Sequence, residues 1–241
     1  VRRETVSEPE RAIFDVPIDE KTARLLRRIA LKTGEEVTEI RRAPDGPWEI
    51  RGFVEGGRAY VEAAADARPP SHLISLEVMR MEFRLIGPPW PSCPFRDENN
   101  RRCYMRLRRA LENEILLPGL SSLHVGARSW FRERFRSEIL ASLEHGTYRP
   151  EPGGPVRTRQ GALDLLEGHT TIAEALFLAE ANALFREKEE EIFHRADKLI
   201  EILRFHRPLE RGNLERVFRL SCSFLFQTRP PTESVVKYRP V

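Results

Sequence analysis

The apolar positions of this chain change period several times, and each change predicts an element. Over residues 20–33, Ala23, Leu25, Leu26, Ile29 and Ala30 keep helical spacing between Asp19, an N-cap residue, and Gly34, a helix-ending glycine. From Glu36 to Arg42 the pattern turns to alternation, with Val37 and Ile40 as its apolar content. Pro44-Asp-Gly-Pro47 signals a turn. The runs Trp48–Val54 and Arg58–Ala64 flank Glu55-Gly-Gly57, and paired glycines supply the positive φ of a tight primed turn, so the two runs read as a hairpin. The N-terminal region is therefore expected to be a helix followed by a three-stranded antiparallel meander. Residues 71–86 place Leu73, Leu76, Met79 and Phe83 on one helical face. A strand here would need a bulge near Val78, and the stretch is rich in helix formers, so helix is favoured. Gly87-Pro-Pro-Trp-Pro91 is the densest proline cluster, and it divides the chain into regions 1–90 and 91–241.

The second region reads as mainly helical. Tyr104, Leu107, Leu111 and Ile115 predict a helix over 103–117 that stops before Pro118-Gly119. Phe131, Phe135, Ile139 and Leu143, at strict i+4 steps, predict another over 130–144 that stops at Gly146. A loop rich in Pro and Gly (148–155) leads to a short helix near Gln160–Glu167. Thr171-Ile-Ala-Glu174 has the form of a capping box. It would open the longest element, 172–206, closed by Pro208. Ile172–Phe185 is apolar nearly all round, which predicts burial, whereas Arg186–Glu191 is charged all round and allows a break. The stripe running from Leu178 and Ala181 to Leu199 and Ile202 could seat a protein partner or a second copy of the chain. Phe218, Leu220, Cys222, Phe224 and Phe226 alternate as in a strand, with a helix through Leu214, Val217, Phe218 and Leu225 in competition. The expected fold class is α+β: a helix and meander, then a mainly helical region with one long helix and a late strand.

Composition changes this picture through its cations. Of 40 basic residues only five are Lys, and Arg, with a fixed charge and a planar donor fork, suits phosphate, carboxylate and aromatic partners. The net charge of +3 conceals opposed blocks. Residues 96–136 hold ten Arg against five acids, and residues 161–201 hold ten acids against four bases. Such blocks suit pairing within the fold as readily as an external anion. Within the basic block, Arg102, Arg106 and Arg109 form one helical ridge and Arg128, Arg132 and Arg136 another, with Tyr104 and Trp130 nearby. Ridges of this kind can follow phosphates while aromatics stack on bases, so these six residues are the candidate nucleic-acid contacts.

Catalytic signatures are missing: there is no GxSxG elbow, no phosphate-binding GxxxxGK[ST] loop, no GxGxxG and no HExxH. The strongest alternatives are a Ser121/His124 turn and a face bearing Glu187, Glu191 and His194, in which Glu191 and His194 copy half of a di-iron motif without its second half. Cys93, Cys103 and Cys222 have no zinc-type spacing and read as reduced thiols of a cytoplasmic protein. No apolar run is long enough to span a membrane. The chain is thus expected to be a non-enzymatic binding or assembly protein, without metal or cofactor, contacting nucleic acid, a protein partner or its own copy.

Two resemblances accompany this reading. The helix–strand–strand–strand–helix order of 1–90 is similar to a double-stranded-RNA-binding domain, without the basic cluster of that family at the start of its last helix. Leu117-Pro-Gly-Leu-Ser-Ser-Leu123 resembles the glycine–serine turn of CRISPR repeat-associated RNA-binding proteins, with Leu120 extra, over fewer than ten residues. Neither assigns the chain to a family.

Overall fold

A computed structural model describes residues 12–42, 50–65, 67–86, 90–124, 126–150, 155–207 and 209–226. The expected turn at 44–47, the strand start at Trp48, the prolines Pro88 and Pro89 and the helix-ending Pro208 lie outside the described residues. The chain divides into two compact units, Val1–Gly87 with Pro118–Val125, and Pro88–Leu117 with Gly126–Val241. Residues 118–125, grouped with the second region by the sequence reading, belong to the first unit.

In the first unit a two-residue hairpin pairs β1 (Ala12–Ile13) with β2 (Val16–Pro17) around Phe14 and Asp15, both at positive φ. It is tied to β3 (Thr38–Arg42): the Phe14 amide donates to Glu39 at 2.7 Å, and the Arg41 guanidinium lies over the Phe14 ring. Helix α1 (Glu20–Thr33) has the predicted ends. The Asp19 carboxylate accepts from the Thr22 amide, and Gly34, at φ 78°, closes the last turn onto Ala30. Strands β4 (Ile50–Glu55) and β5 (Arg58–Ala64) form the predicted hairpin, turning at Gly56 and Gly57. The sheet is not a meander, however. Its order is β3-β5-β4, with β3 parallel to β5 and only β4 antiparallel. Central β5 turns Ala59, Val61 and Ala63 into the core, beneath α1 and α2 (Ser71–Ile86). The α2 helix approaches β4 so closely that a Cβ on Gly52 would meet the Glu77 carbonyl and Met81 at 2.9 Å. The contact is polar as well: Gly52 donates its amide to the buried Glu77 carboxylate and accepts from Arg84, while Arg80 pairs with Glu77.

The second unit is helical. Helix α3 (Glu98–Leu123) continues past the predicted stop, through Pro118; its segment 98–117 belongs to this unit and its last turns to the first. Residues 119–122, read as a glycine–serine turn, are therefore helical. A long helical stretch follows as α4 (Ala127–Phe135), a π turn at Arg136–Leu140 and α5 (Ala141–Glu144). The extra residue of the π turn moves the apolar ladder from i+4 to i+5, so Phe135, Leu140 and Leu143 are buried while Ile139 is half-exposed. Helix α6 (Pro155–Thr171) is the central element, longer than the short helix expected, and packs on α4 and on α8 (Glu190–Phe205). Two glycines permit this. A Cβ on Gly161 would fall 2.6 Å from Ile192, and one on Gly168 would fall 2.8 Å from the Phe135 ring.

Four expectations fail in this unit. The single helix 172–206 is two helices, α7 (Ala175–Lys188) and α8, broken at the non-helical Glu189. The capping box does not form: Thr171 ends α6 with its hydroxyl on the Glu167 carbonyl, and Glu174 precedes α7 without capping it. Burial of α7 is one-sided, with Phe177, Ala181 and Phe185 inside and Leu176 83% exposed. The late strand is helix α9 (Arg211–Phe226), whose buried Leu214, Val217, Phe218, Ser221 and Leu225 keep a helical period while Leu220 and Phe224 face out.

Gly161→Ala should destabilise the fold by about 1–3 kcal/mol although Ala is the better helix former, because the methyl overlaps Ile192. Phe185→Ala should cost about 3–5 kcal/mol, as loss of a buried ring does, and Leu176→Ala less than about 0.5 kcal/mol. Urea unfolding of the three variants beside the parent checks this ranking.

Candidate functional site

The six candidate arginines separate by environment. Arg106 points from α3 into the second unit, onto α6. Its Nε donates to Glu167 at 3.1 Å, Nη1 to Gln160 at 2.8 Å, and Nη2 to Asp164 at 2.7 Å and Glu167 at 2.9 Å. The Tyr148 hydroxyl donates to the other Asp164 oxygen. Burial alone would lower the Arg106 pKa, but Glu167 and Asp164 more than reverse that and hold the guanidinium charged. Burial raises the Asp164 carboxyl while Arg106 and Tyr148 pull it back, and burial followed by Asp164 raises the Tyr148 phenol. Four hydrogen bonds of the Arg106 guanidinium are thus made to α6 within the same unit.

The second ridge meets α7 of the same unit. Arg132 Nη1 sits 2.9 Å from each Glu174 oxygen, and its other nitrogens reach Glu133. Arg136 lies over the Phe177 ring, 4.0 Å from Glu180. Glu174 is the residue expected to complete the capping box, and its carboxylate is held by Arg132 instead. The same substitution of partners occurs at the helix break, where Glu189 takes Arg157 and Glu191 takes Thr158, both from α6. Arg102 remains at the surface, 62% exposed, and pairs along its own helix with Glu98. Arg109 and Arg128 are partly buried.

In the first unit His124, just beyond α3, gathers a different set. Its Nε2 lies 2.8 Å from Ser75 Oγ and 3.4 Å from Asp19. Thr22 Oγ1 reaches Ser75 at 2.8 Å and Asp19 at 2.6 Å, and the His72 ring stands edge-on, 6.3 Å away between centroids. The predicted Ser121/His124 turn is thus replaced by Ser75, Asp19 and Thr22, which no local pattern connects to His124. The set does not have relay geometry. A relay uses opposite ring nitrogens for the nucleophile and the carboxylate, and here both face Nε2. Ser75 is fully buried and also bonds the Ser71 carbonyl, which saturates its one donor and two lone pairs. The cluster clamps the start of α1 to α2 and to the end of α3. Burial raises the Asp19 carboxyl, but the Thr22 hydroxyl and amide, with His124 and Ser75, bring it below its ordinary value.

The Glu187/Glu191/His194 face is divided by the break at Glu189. Glu187 pairs with Lys188, Glu191 with Thr158, and His194 lies 3.5 Å from Glu190. Among the described residues no group of three or more His, Cys, Asp or Glu side chains could hold a metal ion. Among the described residues, too, no helix is long and apolar enough to cross a membrane. No known protein family, curated protein or solved structure matches the chain.

Replacing Arg106 by Met should cost about 1–3 kcal/mol, because the partly buried Asp164 and Glu167 would lose their cation and its hydrogen bonds; denaturant unfolding measures the loss. Acid should weaken the first unit through His72. Burial and the neighbouring His124 hold this imidazole at about 4, against an ordinary 6.5. The unfolded chain therefore takes up the proton at higher pH than the folded chain. The stabilisation is complete above 6.5 and is lost as pH falls toward about 4. Thermal melts of His72→Gln should show a flatter dependence on pH across that window than melts of the parent.

Proposed function

We propose that this chain is a non-enzymatic binding or assembly protein whose arginines serve first to hold its own helices together. The observation that carries the reading is Arg132, whose guanidinium is divided between Glu174 and Glu133. With Arg106 on Asp164 and Glu167, and Arg136 near Glu180, much of the basic block is answered by the acidic block of the same unit. The partner is then a protein or a second copy of the chain, meeting the region 175–205. Leu176 on α7 and Phe205 on α8, each 83% exposed, support this assignment as large apolar side chains that a partner could cover.

A nucleic-acid contact is the second reading. Its support is the exposure of Arg102 and Arg136, 62% and 59% by side chain, which leaves both within reach of a phosphate backbone.

One variant separates the two. Changing Arg128, Arg132 and Arg136 together to Gln keeps helix propensity and removes the charge. Under the first reading the variant melts at lower temperature or changes its sedimentation, with nucleic acid present or absent. Under the second it keeps the parent's melting temperature, and the slope of log K against log salt for duplex or single-stranded nucleic acid falls by about one for each phosphate contact removed. A variant that melts, sediments and binds as the parent does would overturn both.

A further inference from the structure

Cys93 and Cys222 are far apart in sequence but lie on one seam of the second unit. Phe218, Cys222 and Phe226 occur at i, i+4 and i+8 of α9, one face roughly 12 Å long. The non-helical segment 90–95 runs along that face. The Trp90 ring stands edge-on to Phe218 at 4.9 Å, and the Phe95 ring packs on Phe226 at 4.3 Å. Five residue steps can reach roughly 17 Å, enough for the segment to run along this face in the direction of the helix. Cys93 lies between Trp90 and Phe95 as Cys222 lies between Phe218 and Phe226. Tyr104 holds the segment in place: its hydroxyl donates to the Pro91 carbonyl at 2.6 Å and the Ser92 carbonyl at 3.3 Å, and its ring packs on Phe218.

The two thiols are close enough to affect each other and their neighbour. The Cys222 thiol is pushed up to about 12, by burial first and by Cys93 next. Burial and then both cysteines raise the Tyr104 phenol. Both residues are partly exposed, so a small oxidant can reach the seam, whereas Cys103 is fully buried on α3.

We propose that Cys93 and Cys222 are a redox pair, closing to a disulfide that staples segment 90–95 to α9 when the protein meets a hydroperoxide. The Cys93 sulfur attacks the peroxide and breaks the O–O bond, giving a sulfenic acid and releasing the alcohol, or water from hydrogen peroxide. The Cys222 sulfur then attacks the Cys93 sulfur, the S–S bond forms, and the sulfenic hydroxyl leaves as water with the Cys222 proton. The two thiols are oxidised by two electrons and the peroxide is reduced by two. A dithiol reverses the step.

The test uses the reduced full chain, treated with hydrogen peroxide, alkylated and digested without reductant. Mass spectrometry should find the Cys93 peptide joined to the Cys222 peptide, two hydrogen atoms lighter than their sum, with Cys103 alkylated. Dithiothreitol should return both thiols. Cys103→Ser should leave the cross-link unchanged, while Cys93→Ser, a change in an extended segment, should abolish it with the fold retained by circular dichroism. The oxidised parent should melt several degrees above the reduced parent, and Cys93→Ser should show no such difference. Full alkylation of both thiols after peroxide, a link involving Cys103, or a link between two chains would each overturn the proposal.

Discussion

A mostly buried guanidinium is the interaction on which the second unit is organised. Arg106 projects from α3 onto α6, and each of its three nitrogens donates to Gln160, Asp164 or Glu167. Such a group tolerates burial only when its hydrogen bonds and its charge are both answered, so the partners must hold one register along α6. With α6 fixed in that register, Gly161 and Gly168 present flat surfaces on which Ile192 of α8 and Phe135 of α4 can settle. Tyr148 adds the chain before α6 to the same network through Asp164. The ionic register and the close helix contacts are thus properties of one helix.

The excess of Arg over Lys acquires a physical explanation from these pairs. Arg132 bridges both oxygens of Glu174 and reaches Glu133 with its remaining nitrogens, and Arg106 divides its donors among three acceptors. A planar fork with several donors can do this, whereas an ammonium is a point charge. Each such pair also draws an acid away from a local role. Glu174 is not available to a capping box, and Glu189 reaches Arg157 from the non-helical residue that separates α7 from α8. Long-range pairing therefore shapes the helix ends of this unit as much as it neutralises its charge. This is why a strongly basic stretch of sequence does not by itself amount to a strongly basic surface.

The first unit depends on a smaller polar clamp. Asp19 caps α1, and its carboxylate also faces Thr22, Ser75 and His124, so one acid joins the start of α1 to α2 and to the residue following α3. The components are those of a hydrolase relay, but their arrangement is that of a structural knot: a saturated, fully buried serine and a histidine that turns one nitrogen to both neighbours. Opposite this clamp, the buried Glu77 binds the β4 backbone at Gly52, where the lack of a side chain lets α2 descend onto the sheet.

Much of the local structure was legible in the sequence. The cap and terminating glycine of α1, the Gly-Gly hairpin of β4 and β5, and the helix over 71–86 all follow from spacing and turn chemistry, because contacts a few residues apart decide them. Sheet order was not legible. That β5 lies between β3 and β4, parallel to one and antiparallel to the other, depends on pairing across some twenty residues, and the alternation of a strand does not name its neighbour. The alternating Phe218–Phe226 run became helix α9 because burial on one face selected Leu214, Val217, Phe218, Ser221 and Leu225, a choice made by packing partners and not by local pattern. The helix break at Glu189 was visible only as a charged stretch, and the burial expected all round α7 proved one-sided. The arginines show the limit most clearly. Their spacing on each helix was readable, but which of them meet carboxylates and which meet water depends on the helices packed opposite, since a charge is paired or free only relative to what stands within a few ångströms of it in space.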